Sequence, residues 1–404
     1  MNKYLKDREL FGKSSNYVPS SIFSHMVSHS FFKEDCAATS CCFQPDPAIS
    51  HMFAFVVGSE ICIGDTRLAK SSENLNNNEV GQDLIVKRFE ADEDATHDHC
   101  QWYREHLLVA GTDLILLDVE KYCGISRFSF GEEKFVRVLS SGPNEPYLIA
   151  SGHNDGWIRI HDIRWAGGDS AALSFMSTKS EVSALLYHSV ESMISGGSKE
   201  NGILFWDLRN VGNSRMNPTP GRVVTPIDGL DDNNEQFTSF CTENHTRSTL
   251  YAACTDDVVY AFNLMGESCQ LVKRYQGCRI LSSVLAVCPT MGYLVSGYTP
   301  ELYTEDNTTA AVIWSVEAEM PIYQLDNGKS ELERETLRSG YMYARAVAWN
   351  DRMELLTFFE IVGDDCGVWR LWTVDNSVDP PSGLAQCRAY GEEEEDEEEN
   401  SSAS

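Results

Sequence analysis

Two stretches decide the fold: residues 148–164, LIASGHNDGWIRIHDIR, and residues 193–209, MISGGSKENGILFWDLR. Each reads as an apolar run, a short Gly/Ser/Asn/Asp/Lys turn, a second apolar run, then an aromatic or imidazole residue followed by Asp. Short alternating runs rich in Ile, Leu and Phe, separated by turn formers, specify two antiparallel strands joined tightly. The pattern recurs at 250–264 (LYAACTDDVVYAFNL), at 360–374 (EIVGDDCGVWRLWTV) and, with a longer turn, at 293–316. Weaker copies lie upstream at 53–67 (FAFVVGSEICIGDTR) and 107–119 (LLVAGTDLILLDV).

The closing slot of the seven copies is held by Asp65, Asp118, Asp162, Asp207, Asn263, Ser315 and Thr373. Their spacing sits near or somewhat above the roughly 40–45 residues of a propeller repeat. The excess falls in polar insertions at 71–82, 213–234 and 299–309. Flanking runs such as VSALLYH (182–188) and ARAVAWN (344–350) supply further strands, and no comparable helical periodicity appears past residue 35. The expectation is an all-β, seven-bladed propeller with four antiparallel strands per blade. A ring removes the aggregation-prone sheet edge only if the chain ends share a blade, and the run Ile22 to Val27 is a candidate closing strand.

Over residues 36–376 this pattern resembles the WD-repeat family. Two departures stand out: no blade opens with the family's Gly-His pair, and only Trp206-Asp207 is an intact Trp-Asp pair. The resemblance therefore implies that the family's buried His–Ser–Asp–Trp hydrogen-bond network is mostly missing. Residues 1–35 read as an extension with Leu5, Leu10, Phe11, Ile22 and Phe23 as docking anchors, and residues 377–404 as a linker and an acidic tail.

The formal net charge is -29, and the run from Glu392 to Glu399 contributes eight of those charges. Phosphate backbones are repelled by such a chain, so direct nucleic-acid binding is not expected, and basic peptides or neutral proteins fit better. No apolar run approaches the roughly 18 residues of a membrane span. The N-terminal MNKYLKDREL lacks an apolar leader core, and the thirteen scattered cysteines include no CxxC pair. Together these predict a protein with reduced thiols in the nucleus or cytoplasm.

Catalytic motifs are absent: no phosphate loop, no HExxH and no GxSxG. Gly168-Asp169-Ser170 lies in a polar loop and carries no such signal. The run His97-Asp98-His99-Cys100 is the densest set of metal donors, but neighbours within four residues cannot close a tetrahedral site alone. It reads instead as the approach to a strand of the second blade. No catalytic residue, cofactor or metal is expected.

The informative motif is an Arg two residues past the slot Asp. It occurs as His161-Asp162-Ile163-Arg164 and Trp206-Asp207-Leu208-Arg209 on adjacent blades, and as Asp65-Thr66-Arg67 on the first. Arg offers a planar fork of donors suited to carboxylates and carbonyls. The paired motif resembles the WDxR box of substrate receptors for cullin-4 ubiquitin ligases. The stretches ISGGSKENGILFWDLRN, TLYAACTDDVVYAFNLMG and YLVSGY…AVIWSV are similar to denticleless-type receptors. His161 stands where the box has Trp and Asn201 where the fourth blade's box usually has Asp, and no counterpart of the long C-terminal extension of denticleless proteins is expected.

The resemblance implies that Arg209, Asp207, Trp206, Arg164, Asp162 and His161 bind the DNA-damage-binding adaptor of the cullin-4 ligase core. It also implies protein substrates with basic segments, including peptides held on the replication sliding clamp. Arg67, isolated on the first blade, is expected to contribute less. The alternative reading of so acidic a chain is a histone-binding scaffold of chromatin complexes. Adjacent carboxylates repel each other and bury nothing, so the tail is expected to be disordered. Truncation after Tyr390 should shift the melting temperature by no more than about a degree or two. A larger drop in a thermal scan would show the tail packing on the ring.

Overall fold

The computed structural model describes residues 26–374 except for connecting segments, the longest being 72–83, 225–235, 299–308 and 327–341. Residues 1–25 and 375–404, and with them the acidic tail and most of the N-terminal extension, lie outside the described residues, as does Gly168-Asp169-Ser170. The described chain forms seven four-stranded antiparallel sheets. Blades 1 to 6 span residues 40–90, 97–129, 136–176, 184–224, 237–275 and 280–326, each running from inner to outer strand in chain order. The innermost strands pack on one another in succession, and that of blade 7, Met342–Trp349, returns to that of blade 1, Ser40–Phe43. This is a closed propeller.

Blade 7 takes its outer strand from the other end of the chain. Met26–Lys33 pairs antiparallel with Gly367–Val374, from Met26 opposite Val374 to Lys33 opposite Gly367. The closing strand thus begins near the end of the expected run and continues beyond it. The join is sealed below the sheets as well. Thr66 donates to Glu354 Oε2 at 2.7 Å, and Asn350 Nδ2 donates to the same oxygen at 2.8 Å and to the Ser50 carbonyl at 3.0 Å. All four residues are buried, so this network joins the first and last blades where water cannot compete for the bonds.

The core lies between blades, because each sheet buries both faces against its neighbours. Phe53 and Phe55 of blade 1 pack on Phe358 and Trp369 of blade 7, with Phe55 and Phe358 centroids 4.8 Å apart. Blade 3 meets blade 4 through Ile158, Phe175, Tyr187 and Trp206. Blade 5 meets blade 6 through Tyr251, Tyr275, Leu294 and Trp314. Burying each such side chain contributes about 1.5–3 kcal/mol.

One cross-strand position organises every blade. The residue before the slot faces a second-strand residue that is fully buried in all seven blades: Phe53, Leu107, Ile149, Met193, Leu250, Leu294 and Leu355. Opposite them stand Gly64, Leu117, His161, Trp206, Phe262, Trp314 and Trp372. Two residues on from the buried residue, the second strand carries a hydroxyl in blades 3, 4, 6 and 7: Ser151, Ser195, Ser296 and Thr357. Those are the blades whose facing residue has a ring N–H. Trp206 Nε1 donates to Ser195 at 2.8 Å, and Trp372 Nε1 to Thr357 at 2.9 Å. His161 Nε2 lies 3.0 Å from the Ser151 hydroxyl. In blade 6 Trp314 Nε1 has no partner among the described residues. The expected loss of the family network is therefore incomplete: the ring-to-hydroxyl link survives in three blades.

Blade 1 solves the same packing problem in reverse. Gly64 leaves the space that a ring fills elsewhere, and the Phe53 ring occupies it from the facing strand. A Cβ on Gly64 would lie 2.1 Å from Phe53 Cζ, and that ring is fully buried. Gly64→Ala should cost about 1–3 kcal/mol or more by overpacking, read as a lowered midpoint in urea. Phe53→Leu in the same chain should recover part of that loss. Independent, additive effects of the two changes would show that the ring and the glycine do not share this space.

Candidate functional site

Every described slot residue of blades 1 to 6 caps the turn that leaves the third strand. Asp65, Asp162 and Asp207 accept the backbone N–H of Arg67, Arg164 and Arg209 at 2.9–3.1 Å. Asp118 accepts that of Lys121 at 2.9 Å, Asn263 that of Met265 at 2.8 Å and Ser315 that of Glu317 at 3.2 Å. Asp, Asn and Ser close turns in this way because a short acceptor reaches the backbone two or three residues on. In a propeller these turns share one face with the turns joining first to second strands.

The six residues expected at the docking site separate into layers. His161 and Trp206 are buried inside their blades. Trp206 packs on Phe175, with centroids 5.1 Å apart, while His161 packs on Phe128 and Phe130. Asp162 and Asp207 lie above them at the turn, and Arg164 and Arg209 are at the surface. The arginine forks do not simply project. Arg164 Nε donates to Asp162 Oδ1 at 2.9 Å and Nη2 to Oδ2 at 2.5 Å. Arg209 Nε and Nη2 donate to Asp207 at 3.0 and 3.1 Å, and Asn210 Nδ2 adds a bond to that carboxylate at 2.8 Å.

Arg67 closes on Asp65 in the same way, with Nη2 to Oδ2 at 2.6 Å. The box arginine is therefore first a clamp on its own turn and then a surface group. The guanidinium hydrogen bonds hold Asp162 and Asp207 below the ordinary carboxylate range. Burial pushes Asp65 upward, and the bonds from Arg67 outweigh it.

Tyr147, which sequence reasoning missed, completes the third-blade turn. The Arg164 guanidinium carbon sits 4.6 Å from the Tyr147 ring centroid, a cation–π contact, and Ile163 N donates to the Tyr147 carbonyl at 2.9 Å. Tyr147 is exposed. So are Ile49 and Leu68 in the turns of blade 1, Met265 in blade 5 and Met320 in blade 6. The other exposed large apolar residues, such as Val86 and Val272, belong to outer strands. Among the described residues, none lies in the turns of the opposite face.

The histidine-rich run His97 to Cys100 falls on the inner strand of blade 2. Its donors diverge. Asp98 accepts from Arg137 Nη1 at 3.0 Å, and Cys100 points at Ser40 and Cys42, with a sulfur–sulfur distance of 3.6 Å. His97 is buried and His99 half-buried, and desolvation lowers both imidazoles, His99 to about 4.

No protein-family profile matches the chain. Denticleless protein homolog B of Xenopus laevis is 24% identical over 315 residues, covering 68% of this chain and 41% of that protein. Lethal(2)denticleless of Drosophila melanogaster is 26% identical over 229 residues, 48% of this chain and 28% of the relative. The chain thus spans well under half the length of these curated relatives. A chain of the mitotic checkpoint complex crystal structure superposes with a TM-score of 0.59 at 16% identity, covering 87% of this chain and 95% of that one, which shows the shared fold.

This chain is a WD-repeat propeller. Its homologues are denticleless proteins, together with a ribosome biogenesis protein homologue from Trichoplax adhaerens that is 26% identical over 111 residues, 27% of this chain and 26% of that protein. Among its described residues no helix is long and apolar enough to cross a membrane.

The third blade of this WD-repeat propeller carries a chemically testable core. Ser151 Oγ lies 2.8 Å from His153 Nε2, 3.0 Å from His161 Nε2 and 3.3 Å from the Arg159 carbonyl. With both imidazoles neutral and carrying their proton on Nε2, the hydroxyl accepts twice and donates once, which satisfies all three contacts. Burial, helped by the Arg159 charge, depresses His153 to about 2 and His161 to about 4.

The unfolded chain titrates these groups near the ordinary 6.5, so between that value and the folded ones it binds more protons than the native state. Their stabilising contribution is full above about pH 6.5 and is lost as pH falls toward the folded values. The urea midpoint should therefore fall steadily from pH 7 to pH 5. Imidazole NMR should show no titration of either ring in that range. A ring titrating near 6.5 in the folded protein would contradict the burial account.

Proposed function

We propose that this WD-repeat propeller is a non-catalytic substrate receptor of a cullin-4-type ubiquitin ligase. In this reading it docks the DNA-damage-binding adaptor through the turns of blades 3 and 4. The observation that carries the reading is the pair of adjacent Asp–Arg clamps, Asp162–Arg164 and Asp207–Arg209, each exposed at the same turn of neighbouring blades. The similarity to denticleless proteins, which resemble such receptors, supports it. Aromatic and Arg residues dominate protein-binding hot spots, and Tyr147 under Arg164 supplies both. In such an assembly the ligase core carries out the chemistry, and this chain contributes proximity and choice of substrate. Substrates with basic segments, including ones held on the replication sliding clamp, suit a chain of net charge -29. Nuclear or cytoplasmic residence follows from the role.

Trp206 and His161 act from inside. Each fills the blade beneath its clamp and fixes the turn that presents the arginine, so neither touches the partner. Arg209→Ala should weaken adaptor binding by roughly 30-fold or more, as central interface arginines commonly do. Adding Arg164→Ala should nearly abolish it. The melting temperature should change little, because both side chains stand at the surface of turns. Binding by the double variant at wild-type affinity, measured by calorimetry with purified adaptor, would remove the main support for the receptor role. Recovery of histones rather than adaptor and cullin in a nuclear pull-down would favour the chromatin scaffold, which needs no arginine clamps.

A further inference from the structure

Arg67 is not isolated. Between it and the paired boxes, blade 2 carries the same device with a different spacing. Lys121, three residues past the slot, donates Nζ to Asp118 Oδ2 at 2.9 Å, and its own backbone N–H is accepted by Asp118 Oδ1 at 2.9 Å. The hydrogen bond and charge of Lys121 hold Asp118 below the ordinary carboxylate range. Four consecutive blades therefore present a cation clamped over a slot carboxylate: Arg67, Lys121, Arg164 and Arg209. Blades 5 and 6 break the series, since Asn263 and Ser315 are neutral and hold only backbone N–H groups.

The clamps are not neutral at the surface, because their two halves lie at different depths. The four cationic side chains are 61, 77, 57 and 64% exposed, and the carboxylates beneath them 8, 11, 13 and 30%. A partner approaching this face meets the cations first. Asp46 shares the turn layer of blade 1, and Glu105, Glu120 and Arg104 that of blade 2, so the exposed cations of the four blades still outnumber the exposed acids among the described residues. Exposed apolar residues punctuate the arc, with Ile49 and Leu68 in the turns of blade 1 and Tyr147 under Arg164. A cationic arc is unexpected on a chain of net charge -29, and it has the composition of a docking surface rather than of a merely solvated rim.

We propose that the docking surface extends over blades 1 to 4 and takes a carboxylate-lined face of the adaptor, with Arg67 and Lys121 as electrostatic anchors. This rests on the adaptor reading of the paired boxes. Charges around an interface steer encounter and act most strongly at low salt. The full chain is titrated with purified adaptor at low and physiological salt, alongside the double variant Arg67→Gln/Lys121→Gln and the charge-keeping variant Arg67→Lys/Lys121→Arg.

The glutamine variant should bind about ten-fold more weakly at low salt, with a smaller deficit at high salt and a slower association rate. The charge-keeping variant should bind as the wild type does, which separates charge from folding. Wild-type affinity in the glutamine variant would overturn the arc and leave the paired-box reading standing. Equal loss in both variants would overturn it too, because charge would then not be what docks. If the wild-type chain fails to bind the adaptor at all, the receptor reading falls and the arc with it.

Discussion

What the rest of the molecule depends on is a single cross-strand meeting repeated in every blade. A second-strand side chain that never sees water faces the residue just before the slot. That meeting fixes the strand register, because a slip of one residue would turn the buried side chain out of the sheet. Register in turn decides where the third strand ends, and so where the slot residue can cap its turn. The docking face is thus set from within: the depth at which Arg164 and Arg209 sit is decided by how His161 and Trp206 pack below them.

The meeting tolerates several chemistries under one rule. Where the facing side chain brings a ring N–H, the second strand provides Ser or Thr two residues on. Where it brings Gly, Leu or Phe, that position is Phe55, Val109 or Ala252. A buried N–H left without an acceptor costs about 1–3 kcal/mol, and so does a stranded hydroxyl. The two positions therefore change together. Trp314 departs from the rule, since Ser296 turns its hydroxyl to the Gly297 carbonyl. Gly64 and Phe53 show the same logic applied to volume.

Much of this was legible in the sequence because the deciding signals are local. Alternation, Gly/Asp turns and the slot residue mark each blade within about fifteen residues, and all seven slots from Asp65 to Thr373 lie at or beside the ends of third strands. What was not legible depends on distance. Ile22 to Val27 was the expected closing strand, but the partner that selects the register, Gly367–Val374, is at the far end of the chain, and it selects Met26–Lys33. Lys121 escaped notice because its spacing from Asp118 differs by one residue from the arginine motif, although a longer stem reaches the same carboxylate. Tyr147 carries no motif at all. Its role comes from the turn of one hairpin folding beneath the turn of the next. Nor does a DxR triplet state whether its fork points outward or closes on its own Asp.

The shared blade at the join also sets the order in which the ring can be made. Met26–Lys33 leaves the ribosome before every other strand of the propeller, and its partner strand is the last of the propeller to do so. At roughly 5–20 residues per second, synthesis of the intervening chain takes some tens of seconds. Throughout that interval the early strand has no native partner, and blade 1 exposes the aromatic flank that Phe358 and Trp369 will cover. The ring can therefore close only by an encounter between the first and the last strand of the propeller to be made.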